Sequence, residues 1–126
     1  MADPLKVYTG WLVDANHREA LLRRLPPRYP TVVAHHVTLK FGDRQAQPPR
    51  DAEGQIVGEA DDGAGVQAMV VAIAGGVERP DGGVFHITWS LAAGREAKES
   101  NDVIAARGWR AFAAPVPVRL IAKPAD

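Results

Sequence analysis

The sequence contains no cysteine, which excludes disulfides, thiolate metal ligands and a cysteine nucleophile. The sequence also has no excess of charge of one sign, because Lys plus Arg and Asp plus Glu both number 15 in 126 residues. Such a chain has no overall field that attracts nucleic acid or a membrane surface. No apolar run approaches the length needed to cross a bilayer, and the opening MADPLKVYTG lacks a secretory signal pattern. We therefore expect a cytoplasmic protein with no membrane partner and no obligate protein partner.

Length and hydrophobic content bound the architecture. A chain of 126 residues that is 46% hydrophobic supports one modest core, so we expect a single domain over residues 1–126. Alternating apolar residues and turn signals predict the order strand, helix, strand, then strand, strand, helix, strand. This order indicates an α+β protein with mostly antiparallel pairing and few short helices.

Five segments are predicted as strands: Lys6 to Val13, AHHVTLKFG closed by Gly42, VQAMVVAIAG, VFHITWSL, and VPVRLIA with an edge-favouring Pro117. The polar segment from Arg44 to Gly65 is predicted as a loop with one short strand near Ile56 and Val57.

Two helices are predicted. The stretch NHREALLRRLPP has Asn16 as its cap and a buried stripe of Leu21, Leu22 and Leu25 at helical spacing. A second helix is expected from Ser100 to Arg107, with Ser100 or Asn101 as its cap.

Two of the four histidines occur in the same kind of tripeptide, as His36-Val37-Thr38 and as His86-Ile87-Thr88. Side chains at positions i and i+2 of a strand share a face. His86, Thr88 and Ser90 then form a polar row opposite the apolar Phe85, Ile87, Trp89 and Leu91. Two such tripeptides would arise in roughly 0.6% of shuffled chains, so we favour a functional origin over an exposed polar sheet face.

The same alternation places the adjacent histidines His35 and His36 on opposite faces of their strand. His36, Thr38 and Lys40 share the polar face, whereas His35 is expected on the core side or at its margin. Two histidines on opposite sides of a phosphodiester can act as base and acid. Threonine hydroxyls and Lys40 would then stabilise the negative charge on phosphate oxygens, without a metal or any other cofactor.

These residues resemble the two-histidine (2H) phosphoesterases, which include RNA-ligase-like proteins and cyclic phosphodiesterases. The context YTGWLV, a short helix and AHHVTLKFG is similar to the small branch associated with Swiss-army-knife RNA-repair proteins. The resemblance implies a bilobal α+β domain of two antiparallel sheets, related by pseudo-twofold symmetry around a central cleft.

By this resemblance His36 and His86 are the catalytic residues, and Thr38 and Thr88 bind phosphate. It implies a phosphodiesterase acting on 2′,3′-cyclic phosphate or 2′-5′ bonds of RNA ends, nucleotides or other small phosphodiesters. Tyr8 is a possible substrate contact that would stack on a base. Ser90 is a second possible contact, since it holds the place that Lys40 has in the other half.

Three questions stay open at the level of sequence. The sequence does not assign base and acid between the two histidines. It also does not separate hydrolysis from ligation, or from a non-catalytic module that binds RNA ends or nucleotides in the same cleft. A metal site built from His35, His36 and His86 is disfavoured, because adjacent histidines on a strand point to opposite faces and no carboxylate or thiolate lies at supporting spacing.

Overall fold

β-strands dominate the computed structural model, which describes residues 7–125. Lys6, the first residue of the first predicted strand, lies outside the described residues. The elements in chain order are β1 (Tyr8–Val13), α1 (Ala15–Arg24), β2 (Thr31–Val32), β3 (His36–Phe41), β4 (Ala52–Asp61), β5 (Val66–Ala72), β6 (His86–Leu91), α2 (Glu99–Arg107) and β7 (Arg110–Lys123). Neither of these helices is long and apolar enough to cross a membrane.

The strands form one antiparallel sheet in the order β2-β6-β5-β4-β7-β1-β3. Six of them, from β6 to β3, close into a barrel in which β3 lies against β6, and the short β2 extends β6 as an additional strand. The expected bilobal α+β domain with two sheets around a cleft is therefore wrong. The two halves merge because β4 and β7 pair along most of their length and make the sheet continuous.

Strand β4 occupies ten residues of the segment predicted as a loop with one short strand near Ile56 and Val57, so the strand is present and longer than predicted. Gly54, Gly58 and several acidic residues give this segment a low intrinsic strand propensity. Pairing with β5 and β7 outweighs that preference, and Ile56 is fully buried. The side chain of Glu59 is also buried, where it forms an ion pair with Arg28.

Strand β7 lies inside the sheet, between β4 and β1, so the prediction of an edge strand from Pro117 is wrong. Pro117 pairs with Gln55 of β4, whereas the registered pairing with β1 begins at Leu120. The proline thus occupies a part of β7 where its missing N–H does not interrupt a ladder with β1.

Two apolar clusters occupy opposite faces of the sheet. Alternate residues of β5 show this, because Met69 and Val71 belong to the main core whereas Ala68 and Val70 belong to a second cluster with α2. The main core also contains Trp11, Leu21, Val37, Phe85, Ile87, Trp89 and Val118. Side chains of β6 on the face opposite the main core therefore point toward α2.

Helix α1 confirms the predicted leucine stripe but not the predicted cap. Leu21 is buried in the core, and Leu22 and Leu25 pack against it while partly exposed. The helix begins after Asp14, whose carboxylate accepts a hydrogen bond from the backbone N–H of Asn16 at 2.9 Å. Asn16 is thus inside the first turn.

Helix α2 begins at Glu99, one residue before the first of the two predicted cap residues, Ser100 and Asn101. Lys98 is its N-cap and makes no capping hydrogen bond through its side chain. Ser100 and Asn101 are therefore residues of the first turn, and their prediction as caps is wrong. Ser100 is fully buried and contacts the sheet.

A β-bulge follows the threonine of the first His-x-Thr tripeptide. In the ladder between β1 and β3, Gly10 pairs with Thr38 and Thr9 pairs with Lys40, which leaves Leu39 as an extra residue. A bulge of one residue turns every later side chain of the strand to the opposite face. The predicted alternation therefore holds through Thr38 and reverses after it.

The second tripeptide has a bulge at the corresponding place. Ala68 of β5 pairs with Thr88 and Gln67 pairs with Ser90, so Trp89 is the extra residue. Leu91 shows the reversal, because it belongs to the cluster beneath α2 and not to the main core that contains Trp89.

Gly10 allows β1 to approach β3 at the first bulge. A Cβ atom at this position would lie 2.1 Å from the carbonyl oxygen of Val37 and 2.9 Å from the backbone nitrogen of Leu39. We expect Gly10→Ala to lower the free energy of unfolding by more than about 2 kcal/mol, because backbone atoms must move. Gly76→Ala is the control, since a Cβ there has open space. Equal urea midpoints for the two variants would contradict the close approach.

Candidate active site

The candidate site lies where β3 meets β6. The chain after β2 runs antiparallel to β6, and the backbone N–H of Ala34 donates to the carbonyl of Thr88 at 2.9 Å. Strand β3 begins two residues later, at His36, and β6 begins at His86. The closure of the barrel thus brings the starts of both His-x-Thr strands together.

The histidines and threonines of both tripeptides line one pocket of about 280 Å³. It is lined by His36, Thr38, His86 and Thr88 together with Tyr8, Phe41, Ala97, Lys98 and Asn101. The structure therefore brings five of the predicted site residues together, namely both histidines, both threonines and Tyr8. The volume is near the lower limit of small-ligand pockets, which suits one phosphate group with part of a nucleoside.

His36 is held between two rings. Tyr8 stacks on it with a centroid distance of 4.4 Å, and the Nδ1 atoms of His35 and His36 are 3.0 Å apart. One imidazole donates to the other in this contact, which leaves Nε2 as the second ring nitrogen of His36. Burial lowers the pKa of His36 to about 4, with smaller contributions from the charges of His35, His86 and Lys123.

His35 is exposed, so its expected position on the core side is wrong. The alternation does not extend to it, because β3 begins only at His36 and Ala34 has a left-handed φ of 43° that turns the chain just before the strand. His35 instead contacts His36 and is a neighbour of the site that side-chain alternation alone did not identify.

His86 is 9% exposed and has a fixed orientation. Its Nδ1 lies 2.8 Å from the carbonyl oxygen of Val84, which can only accept, so Nδ1 carries a proton and Nε2 is the remaining ring nitrogen. Burial lowers the pKa of His86, the bond to Val84 raises it, and the nearby Arg79 charge lowers it again.

The two threonines have different surroundings. The Thr88 hydroxyl is 3.2 Å from the carbonyl oxygen of Ala97 and 2.8 Å from the hydroxyl of Ser100. Its proton goes to Ala97, so Ser100 donates to it. Within residues 7–125, the Thr38 hydroxyl has no such protein partner and is available to the pocket.

Lys40 and Ser90 lie outside this pocket. Lys40 forms an ion pair with Asp43 at 3.1 Å and lines a different cavity together with Thr9. Ser90 is fully buried, donates to Gln67 and accepts from the backbone N–H of Tyr29. The bulges at Leu39 and Trp89 explain both errors, because they reverse the face just after each threonine.

Several pocket residues were not predicted. Phe41 enters because the first bulge turns it to the histidine face, and Lys98 and Asn101 come from the start of α2. Asn101 also accepts a hydrogen bond from Arg79. The sequence signal for these residues is weak, since neither the bulge nor the position of α2 over the sheet follows from side-chain alternation.

Metal ligation finds no support in the described part of the chain. Among residues 7–125, no group of three or more His, Cys, Asp or Glu side chains is placed to hold a metal ion.

Comparison with known proteins identifies no relative: no family model, curated protein or solved structure matches this chain.

Replacement of the two threonines by valine separates their roles. Thr88→Val leaves Ser100 without its hydrogen-bond partner in a buried place, so we expect the free energy of unfolding to fall by about 1–3 kcal/mol. Thr38→Val should change it by less than about 0.5 kcal/mol, since no protein hydrogen bond is lost. Urea unfolding of both variants measures the difference, and a larger loss for Thr38→Val would contradict the assignment.

Proposed function

We propose that the protein is a metal-independent phosphodiesterase that uses His36 and His86 as general base and general acid. The proposed substrates carry a 2′,3′-cyclic phosphate or a 2′-5′ phosphodiester at an RNA or nucleotide end. The observation that carries the proposal is the single pocket of about 280 Å³ lined by both histidines and both threonines. The likeness to two-histidine phosphoesterases in these tripeptides supports the same chemistry.

His36 is the proposed base. Its lowered pKa of about 4 keeps the imidazole neutral at neutral pH, and in the base form Nδ1 of His36 donates to Nδ1 of His35, which leaves Nε2 without a proton. A water molecule attacks the phosphorus and gives a proton to Nε2 of His36. One oxygen–phosphorus bond forms while the bond to the 2′ or 3′ oxygen breaks.

His86 is the proposed acid. Its bond from Nδ1 to the carbonyl of Val84 persists in both protonation states and fixes the ring, so Nε2 presents the proton to the leaving oxygen. The free protein favours the neutral form of His86, because burial lowers its pKa. An anionic phosphodiester in the pocket stabilises the imidazolium, so His86 is protonated when the substrate is bound.

Thr38 and Tyr8 have supporting roles in this proposal. The Thr38 hydroxyl donates to a non-bridging oxygen, where negative charge accumulates in the transition state. Tyr8 orients His36 through ring stacking. Thr88 mainly anchors the start of α2 over the pocket, because its hydroxyl proton is already used by Ala97.

A second candidate is a module that binds RNA ends or nucleotides in the same pocket without cleaving them. One observation favours it: burial lowers the pKa of both histidines, so the unliganded pocket holds two bases and no acid at neutral pH. The two candidates differ in turnover and share the ligand class.

Incubation with nucleoside 2′,3′-cyclic monophosphates in EDTA tests the enzyme directly. We expect turnover that persists in the chelator, and a loss of about 10²–10⁴-fold in kcat/KM for His36→Ala and for His86→Ala. His17→Ala is the matched control, because His17 lies on α1 and does not line the pocket. Binding without turnover of cyclic monophosphates or 2′-5′-linked oligonucleotides would favour the binding module instead.

The pH dependence of kcat/KM gives a further test of the two roles. The base requires a pH above the His36 pKa of about 4, and the acid requires a pH below the lowered pKa of His86. We therefore expect a bell-shaped profile with its maximum between about pH 4 and 6.5. Activity that rises continuously through neutral pH would contradict His86 as the acid.

A further inference from the structure

Arg79 is a buried cation beside the pocket and is only 7% exposed. Its Nε donates to the carboxylate of Asp81 at 2.8 Å, and its Nη2 donates to the side-chain oxygen of Asn101 at 3.2 Å. Nη1 is buried and has no hydrogen-bond partner among the described residues. A buried donor of a charged group without a partner is costly, so its retention needs an explanation.

The position of Arg79 connects it to the proposed site. It lines a neighbouring cavity of about 540 Å³, to which His86 and Asn101 also contribute. Its guanidinium carbon lies 5.4 Å from the ring centre of Phe41. Phe41, His86 and Asn101 all line the pocket with the two tripeptides. Arg79 therefore lies in the neighbouring cavity, in contact with Phe41 and Asn101 of the pocket and on the side of His86.

The turn after Arg79 is built around the guanidinium group. The backbone N–H of Arg79 donates to the carbonyl of Gly83, and the N–H of Gly83 donates to Asp81. A Cβ at position 83 would lie 2.4 Å from Nη2, so the side chain needs a glycine there. This arrangement holds a positive charge in the interior although the carboxylate of Asp81 is half exposed.

We propose that Arg79 is an anion-binding residue of this site and that its Nη1 donates to a non-bridging oxygen of a ligand phosphate group held against His86. The choice of phosphate rests on the proposed function. Arginine suits this role because its planar, permanently charged group matches phosphate oxygens. The bond from Nη2 to Asn101 is at the long end of the usual range, so the group can shift toward a ligand at small cost.

The proposal also gives the site a buried cation in place of Lys40, in addition to Lys98, which lines the pocket and forms an ion pair with Glu96. A bound phosphate neutralises the charge of Arg79, which removes one cause of the lowered pKa of His86. Phosphate binding and protonation of His86 then favour each other. The residue would therefore act on the ligand directly and on the proton of His86 through the ligand.

Titration of the protein with inorganic phosphate tests this role without any need for turnover. We expect Arg79→Gln to weaken phosphate binding by about ten- to hundredfold, as calorimetry measures. Arg95→Gln is the matched control: it removes the same charge from an arginine whose three guanidinium nitrogens all have partners, in Glu99, Ala64 and Asp62. Its phosphate affinity should equal that of the wild type.

A folded Arg79→Gln variant that binds phosphate as tightly as the wild type would overturn the proposal, and so would a wild type that binds none. The wild type offers a second measurement in case the variant does not fold. Phosphate should shift the guanidinium nitrogen resonances of Arg79 together with the imidazole resonances of His86. Shifts of His86 alone would also overturn the proposal.

The failure of this proposal differs from the failure of the proposed function. Phosphate binding that depends on Arg79, without hydrolysis of cyclic phosphates, supports the anion site and contradicts the proposed phosphodiesterase activity. Hydrolysis that depends on His36 and His86, with unchanged kcat/KM and phosphate affinity in Arg79→Gln, supports the phosphodiesterase activity and contradicts anion binding by Arg79.

Discussion

Two β-bulges, each directly after a His-x-Thr tripeptide, determine which side chains reach the pocket. The extra residues Leu39 and Trp89 reverse the alternation after each threonine, so Lys40 and Ser90 turn away from the pocket and Phe41 turns toward it. Trp89 itself fills the main core and donates from its indole to the carbonyl of Leu25. The same irregularity therefore affects the core and the site, and removal of either bulge would turn the residues that follow it to the opposite face.

The electrostatics of the pocket follow from burial. Desolvation lowers the pKa of both histidines, so the empty pocket favours two neutral imidazoles. The buried charge of Arg79 acts in the same direction on His86. An anion reverses these effects, because it compensates the cation and stabilises an imidazolium. In the proposed function, the site therefore binds an anionic ligand together with a proton, and the proposed acid–base chemistry depends on that coupling.

The sequence predicted the convergence of the two tripeptides better than it predicted the fold that produces it. Side-chain alternation placed the histidine and threonine of each tripeptide on one face of its strand, the resemblance implied a shared cleft, and all four residues line one pocket. Alternation failed at Lys40 and Ser90, since a bulge depends on pairing with a neighbouring strand. Sequence patterns predicted only a short strand near Ile56 and Val57 where β4 has ten residues, because long-range pairing outweighs the low strand propensity of its glycines and acids. Arg79 was not predicted because its position beside the pocket depends on how the turn from Arg79 to Gly83, just before β6, folds over the sheet.

We propose that His36 and His86 act on one phosphate group in one pocket. Imidazole NMR titrations with and without adenosine 2′-monophosphate test it most directly. The account predicts that the nucleotide raises the pKa of both His36 and His86, from about 4 for His36 and from its lowered value for His86. The His17 resonances on α1 serve as the internal reference and should not shift with the nucleotide. A saturating nucleotide that changes the pKa of only one of the two histidines, or of neither, would contradict the account.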